Sequence, residues 1–567
     1  NYAGQGQGKL PFQALQGQLT TADLAFDLDT QQLTLPSLQL TTQNTGQTDF
    51  VAQQADVQLN LTQLLANLKQ QTFQADNLAL QAYLQGDQLP KGNVKAALSM
   101  QPQADLQKQT AQLKALRLEV MDVKADGQIE ASQLLDAPKV TASLKVPQTN
   151  LRALLNDLKI ALPEMRDPKT LTRLAAAFNV DYDGGKEVAK VSNVTVTLDD
   201  SQLTGSASVA QFEQPDIRWD LSLNQIDLNR YLPPKPAETS QPSEPKTPPA
   251  SSEEAVIELP VELLRSLTLN GTFKAGDIRF DKLNPKNLLV VVKGEPGVIQ
   301  ISRLTTDIFN TQLNAQASLD VRDEVPKYAF KTDTHKLPVE ELLITFADTD
   351  QLSGTGHVQA DITTRGDRVS QFKQHLNGTV KLDLKDGAVK GFNLAKSIRD
   401  ARAIIRGDKT QAKSEPLQTD FSTMVMHATI ENGVVTTDTL KAAAPYMRIR
   451  GEGTINLPQE QLDYRVYTSI VDTSKGQGGD ALKDLDDITI PVKLSGDFQK
   501  PKVSLDLESL LKEKAKQEVQ KQLDEQKEKL QKEAQKKIEE QLKGQLNDQQ
   551  KDALKGLGDQ LLKNLPF

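Results

Sequence analysis

The sequence predicts a mainly β protein, an elongated, twisted antiparallel β-groove of repeated strands with a few short helices and a C-terminal helical segment. Three observations carry that expectation. Apolar and polar residues alternate with period two from end to end, as in Val57/Leu59/Leu61, Val194/Val196/Leu198, Ile217/Trp219/Leu221/Leu223 and Val380/Leu382/Leu384. A phrase of apolar residue, one further residue and glycine recurs inside such segments, at Leu203-Thr204-Gly205, Leu269-Asn270-Gly271, Leu352-Ser353-Gly354, Leu376-Asn377-Gly378, Ile449-Arg450-Gly451 and Leu494-Ser495-Gly496. An interior glycine costs a helix about 1 kcal/mol relative to alanine, whereas a strand uses one at a bulge or a close backbone approach. Finally, 567 residues are several domains' worth of chain, yet with 38% hydrophobic and 4% aromatic residues the apolar material is thinly spread. That suits a sheet one layer thick more than a large globular core.

Along the chain, the clearest strands after those above are Leu24/Phe26/Leu28, Met424/Met426/Ala428/Ile430, Tyr464/Val466/Thr468/Ile470, Ile488/Ile490/Val492/Leu494 and Val503/Leu505/Leu507. Turn signals separate strands at Asp183-Gly184-Gly185, Lys385-Asp386-Gly387 and Glu431-Asn432-Gly433, as antiparallel hairpins require. Helical spacing is confined to 62–69, 150–158, 168–178 with Asp167 as its cap, 339–346 and 394–405. Helices this short and few can plug ends but cannot roof the whole sheet. Four segments result: β-groove with short helices over 1–232, a Pro/Ser-rich linker or loop over 233–255, a second β-groove over 256–507, and charged and amphipathic helices over 508–567. Residues 233–255 have almost nothing to bury, so they form either a linker or an excursion that leaves and rejoins the array. Deleting Pro233 to Glu254 is expected to leave the thermal midpoint nearly unchanged. From 508 to about 545 one apolar residue per turn, as at Leu511, Ala515, Val519 and Leu523, gives a stripe that fits a solvated or coiled-coil helix and, secondarily, a membrane-surface or partner-docking helix.

Composition excludes several functions. A net charge of -9 without a basic stripe argues against a nucleic-acid partner. With no cysteine there are no disulfides, thiolate zinc sites or thiol nucleophiles. No run approaches the roughly 20 consecutive apolar residues of a membrane-spanning helix. His335, His357, His375 and His427 stand apart in the sequence without metal-ligand spacing, and hydrolase, P-loop and kinase signatures are missing, so no enzyme, metal or cofactor is expected. The acidic pair Asp199-Asp200 and the trio Asp484, Asp486 and Asp487 lack EF-hand spacing and read as solvated loops.

From about 352 to 507 the chain resembles the C-terminal region of the AsmA family. The resemblance rests on an ordered series: Leu352-Ser353-Gly354-Thr355-Gly356-His357-Val358, Leu376-Asn377-Gly378-Thr379-Val380, Lys385-Asp386-Gly387-Ala388-Val389-Lys390-Gly391-Phe392-Asn393-Leu394, Leu462-Asp463-Tyr464-Arg465-Val466, and Ile490-Pro491-Val492-Lys493-Leu494-Ser495-Gly496-Asp497-Phe498. It implies a Gram-negative envelope protein, periplasmic and anchored to the inner membrane by a transmembrane helix upstream of Asn1. It further implies a bridge-like conduit that moves phospholipids between inner and outer membranes and supports outer-membrane homeostasis and assembly. Its partners are then phospholipids, the inner and outer membranes, and envelope proteins reached through the C-terminal helices.

The residues lead to the same groove independently. About 25 strands at roughly 4.8 Å each extend on the order of 120 Å, and twist curls such a sheet into a trough. Leu269, Phe273, Val380, Leu382, Leu384, Val466, Ile490, Val492, Leu494, Val503 and Leu505 are the expected lipid-contacting lining. Gly271 is a place where a bulge would break the parity that points Leu269 inward. The rival reading is a periplasmic scaffold or chaperone-like factor that binds unfolded barrel strands by β-addition during outer-membrane protein assembly.

Overall fold

The structure, a computed structural model, describes residues 2–5, 14–45, 52–234, 256–347, 349–391, 393–396, 416–444, 447–470, 489–497, 502–505, 519–530, 532–533 and 536. The chain divides into two compact units, Asn1–Asp348 with Gly356–Val380, and Thr349–Thr355 with Lys381–Phe567. The fold class is the expected one: mainly β, with strands paired largely in chain order and only short helices.

In the first unit nearly every strand is hydrogen-bonded antiparallel to its neighbour in sequence. Asp183-Gly184-Gly185 closes the hairpin between Leu174–Asp183 and Val188–Leu198 as anticipated. One pair breaks the rule. Asp216–Asp227 and Thr268–Arg279 lie side by side in parallel, from Asp216↔Thr268 to Asp227↔Arg279. Parallel neighbours need a long crossover because the chain must return to the starting end, and the connection over 228–267 supplies it. Residues 233–255 therefore join two adjacent strands of one unit, and the division between units falls well downstream of them.

This geometry revises the expected effect of deletion. Leu232 and Pro233 are held by Arg166 at the end where Asp227 stops, whereas Ile257 donates to the Asp367 carbonyl and the helix Val261–Ser266 leads into the opposite end at Thr268. The ends differ by the length of a twelve-residue strand, about 40 Å at 3.3 Å per residue. Replacing 235–254 by a Gly/Ser segment of equal length is expected to leave the thermal midpoint unchanged. Shortening it to about five residues, whose reach is under roughly 18 Å, should break the parallel pairing. Hydrogen exchange of the Thr268–Arg279 amides checks both outcomes.

Tertiary pairing overrides two helical expectations. Residues 62–69 carry leucines at helical spacing, but most of them lie in the strand Gln54–Asn67, which bonds to Gln32–Thr45 on one edge and to Asn77–Gln85 and Thr72–Gln74 on the other. Two edges of ladder bonds outweigh a weak local preference. Residues 168–178 begin as a turn and continue as the strand Leu174–Asp183, because the amides of Leu171, Thr172 and Arg173, which a helix would direct to the carbonyls four residues back, donate instead to the carboxylate of Asp199. Two helices match: Leu151–Asp157, with the Asn150 Oδ1 accepting from the Ala153 amide at 3.0 Å, and Val339–Ala347. The spacing missed Val261–Ser266 and Val369–Gln374, each too short to show a period.

In the second unit, antiparallel strands run Gln418–Glu431, Val434–Ala444, Met447–Asn456, Gln461–Ile470, Thr489–Asp497 and Lys502–Leu505. Glu431-Asn432-Gly433 makes the first hairpin, with positive φ at Asn432 and Gly433. Lys385-Asp386-Gly387 is not a turn. It continues the strand Asn377–Lys390, with Asp386 at φ 50°, because the Ser353 amide and hydroxyl bond with Ala388 and draw the backbone against Gly387. Of the C-terminal helical expectation, 519–530 is helical and exposed throughout, including Val519, Leu523 and Leu530. The remainder of 508–567 is mostly outside the described residues, as are 397–405 and the trio Asp484, Asp486 and Asp487. No helix among the described residues is long and apolar enough to cross a membrane.

Candidate functional site

Strand registers in the first unit convert period-two alternation into lateral rows. Leu19, Leu40, Leu59, Leu80, Leu98 and Leu118 are successive cross-strand partners, a file of leucines over six strands. A second row passes through Ile129, Ala142, Val180, Val191, Ala207, Trp219, Gly271, Val292, Ile301, Ala317 and Phe330 without a charged member. Beside it run Val209, Ile217, Leu269, Gly294, Ile299, Leu319 and Tyr328, and Leu221, Phe273, Val290, Leu304 and Ala315. Cross-strand partners share a face. Leu269 and Phe273 thus belong to one apolar surface, and the opposite face carries Asn270, Lys274 and Lys293.

Bulges keep that surface apolar where simple alternation would lose it. Gly127 and Ile129 lie two apart on one strand, and their partners are Leu116 and Leu113, three apart, across an irregularity that absorbs the odd residue. Val191/Val194 against Ala207/Gly205, and Ile301/Leu304 against Ala317/Ala315, repeat the arrangement. The recurrent glycine fits here: at Gly205, with φ +142°, an added Cβ would sit 2.0 Å from the Asp220 carbonyl oxygen. Gly271 has another task. The register through it is unbroken, so the suspected bulge is absent, and a Cβ there would lie 2.0 Å from the ring of Trp219, which packs over the bare backbone.

Exposure separates the units. In the first, Leu269 and Phe273 are half-buried, as is Val380, and Leu19 and Leu118 are 58% and 42% exposed. In the second, Leu382 is half-buried, and Leu384, Val466, Val492 and Leu494 are buried at 0%, 6%, 1% and 8% exposure. Val466 pairs with Val492 and Tyr464 with Leu494, while Arg465 opposite Lys493 faces the other way. The backbones of Ile490, Val503 and Leu505 continue these rows opposite Thr468, Leu494 and Val492, but their side chains lie outside the described residues.

Of the acidic pair, Asp199 is structural rather than solvated, whereas Asp200 is exposed and ion-paired. Asp199 is 4% exposed, and besides the three amides it accepts the Tyr231 hydroxyl at 2.8 Å. Burial alone would raise its pKa, yet the bonds from Leu171, Tyr231, Arg173 and Thr172 outweigh that and hold it below the usual carboxylate range. Asp200 accepts from Arg173 and from Arg230, whose guanidinium also binds Asp167 at 2.8 Å. The network ties the chain before the crossover to the sheet. Sequence spacing gave no sign of it because its members are some 30 to 60 residues apart. His335 and His357, isolated in sequence, are brought together on adjacent strands on the polar face, whereas His375 bonds the Gln371 carbonyl of its own turn and His427 stands exposed.

Fold and surface together define a serial array of strands with one charged face and one apolar face, half-open in the first unit. The chain belongs to the AsmA family, whose profile matches residues 12–440. The match takes in the upstream strands, where no motif stood out, and ends inside the segment that carried the resemblance. Protein AsmA of Escherichia coli (strain K12) is 20% identical over 365 residues, covering 63% of this chain and 59% of that relative. No solved structure matches the chain.

Proposed function

We propose that this chain is a bridge-like conduit of the Gram-negative envelope, periplasmic and anchored at the inner membrane, that moves phospholipids between the inner and outer membranes along the apolar face of its sheet. The observation that carries the reading is the row from Ile129 to Phe330, eleven strands wide, without a charge and with its side chains only half-buried. Each methylene removed from water contributes about 0.8 kcal/mol, and rungs recur about every 4.8 Å. An acyl chain can therefore move from rung to rung without breaking a directional bond. Leu269, Phe273 and Val380 are its contacts in the first unit. In the second unit, whose apolar face is already packed at Leu384, Val466, Val492 and Leu494, the proposed contacts are Leu382, Leu384, Val466, Ile490, Val492, Leu494, Val503 and Leu505. The reading includes no catalytic step, and family membership supports it.

Trp219, the only tryptophan in the chain, lies on the central row and reports occupancy directly. Phospholipids with brominated acyl chains are expected to quench its emission, whereas lipids brominated only at the headgroup should not. Lipids that copurify with the chain, read by mass spectrometry, should be glycerophospholipids. Absence of both signals would refute the conduit and favour the strand-binding scaffold.

A further inference from the structure

We propose that Asp333, His335 and His357 form a binding site for a borderline-soft divalent transition-metal ion of the zinc class, on the polar face of the first unit. Asp333 and His335 are two apart on the strand Lys327–Pro338 and so project to the same side, opposite Tyr328, Phe330 and Thr332. His357 comes from the strand Thr355–Arg365. The Nε2 atoms of His357 and His335 lie 2.7 and 3.8 Å from the same oxygen, Oδ1 of Asp333. One ligand atom from each of the three residues lies within 4.8 Å of the others. Four-coordinate zinc, with bonds near 2.0–2.2 Å, holds its ligand atoms about 3.3 Å apart, so the two observed separations bracket what an ion between them requires.

The imidazole rings stack with centroids 4.0 Å apart and planes at 21°, and rotation of the exposed His335 ring turns both Nε2 lone pairs toward one ion. One further feature fits a metal better than a surface ion pair. The second oxygen of Asp333 accepts from the Gln359 Nε2 at 2.8 Å, which fixes the carboxylate plane and leaves Oδ1 for the ion. Nearby, Lys331 is paired with Asp361 at 2.8 Å, so its ammonium is directed away. Two imidazoles and one carboxylate favour Zn2+ or Cu2+ over Mg2+ or Ca2+, which take oxygen ligands. The fourth position faces solvent, where His335 is 73% exposed at its side chain, and water completes it.

The test is titration of the full chain, stripped with EDTA, with Zn2+ by calorimetry, and with Co2+ by visible absorption. One saturable zinc ion per chain is expected, and Co2+ should give the absorption of a low-symmetry nitrogen- and oxygen-ligated site. His335→Ala and His357→Ala should each lower zinc affinity roughly tenfold or more, and Gln359→Leu, which only orients the carboxylate, about tenfold. His427→Ala, an exposed histidine on another strand, should change nothing. His335 is exposed and His357 and Gln359 are half-buried on the polar face, so the metal-free secondary structure of each variant should equal that of the parent. Absence of saturable zinc binding, or an affinity unchanged in the His335→Ala/His357→Ala double variant, would overturn the site.

Discussion

A folded chain carrying Leu269→Asp with Phe273→Glu is expected to lose lipid transfer by about a hundredfold while keeping its secondary structure. Leu269 pairs with Ile217 and Gly294, Phe273 with Leu221 and Val290, and Trp219 against Gly271 lies between them. Two carboxylates there interrupt the two apolar rows that flank the one through Trp219 and Gly271. Placing an unpaired charge against an acyl chain costs several kcal/mol, and about 3 kcal/mol of added barrier slows passage about a hundredfold. Both residues are only half-buried, so folding tolerates the charges better than it would at Val492, which is 1% exposed. Asn270→Asp with Thr272→Glu places the same charges on the opposite face and should leave transfer intact. Transfer between donor and acceptor vesicles, together with quenching of Trp219 by brominated chains, measures the effect. Unaltered transfer by the folded inward variant would overturn the conduit.

The Asp199→Asn variant is expected to loosen the strand ends at residues 165–174 and 228–234. Asn keeps the shape and tolerates the φ of 52° found there, but it replaces one acceptor oxygen with a donor that faces amide or hydroxyl hydrogens. Leaving buried donors unpaired costs about 1–3 kcal/mol each, so about 3 kcal/mol overall. The effect is local, so the readout is hydrogen exchange at the Leu171, Thr172 and Arg173 amides, which should lose about a hundredfold of protection. The pH dependence has a definite sign. The folded pKa of Asp199 is lowered, so its stabilisation is present above the unfolded value near 3.9 and is lost as pH falls through the folded value. The difference between parent and variant should therefore be constant from pH 5 to 7 and shrink below pH 4. Equal protection in the two proteins at pH 7 would show that the carboxylate is not what holds these strand ends.

Period-two alternation was enough to read the strands and to place Leu269, Val466 and Val492 on their apolar faces, because a strand's two faces are a local property of the chain. The recurrent glycine was equally legible as a strand feature, but its reason was not. Gly205 answers to the Asp220 carbonyl and Gly271 to the Trp219 ring, both contributed by a neighbouring strand. The leucines at 61, 64, 65 and 68 satisfy a helix and a strand equally well, and only partners on both edges choose between them.

Three features were decided in tertiary structure alone. The parallel pair of Asp216–Asp227 with Thr268–Arg279 depends on where a long connection returns, and composition of that connection says nothing about direction. The Asp199 network and the Asp333/His335/His357 cluster join residues far apart in sequence, and lateral register, not spacing, brings them within bonding distance. What the sequence by itself determined is the alternation that makes one face apolar. Which alternating residues meet across the sheet, and how open the resulting face is to a ligand, follows from register, bulges and packing that only the folded chain possesses.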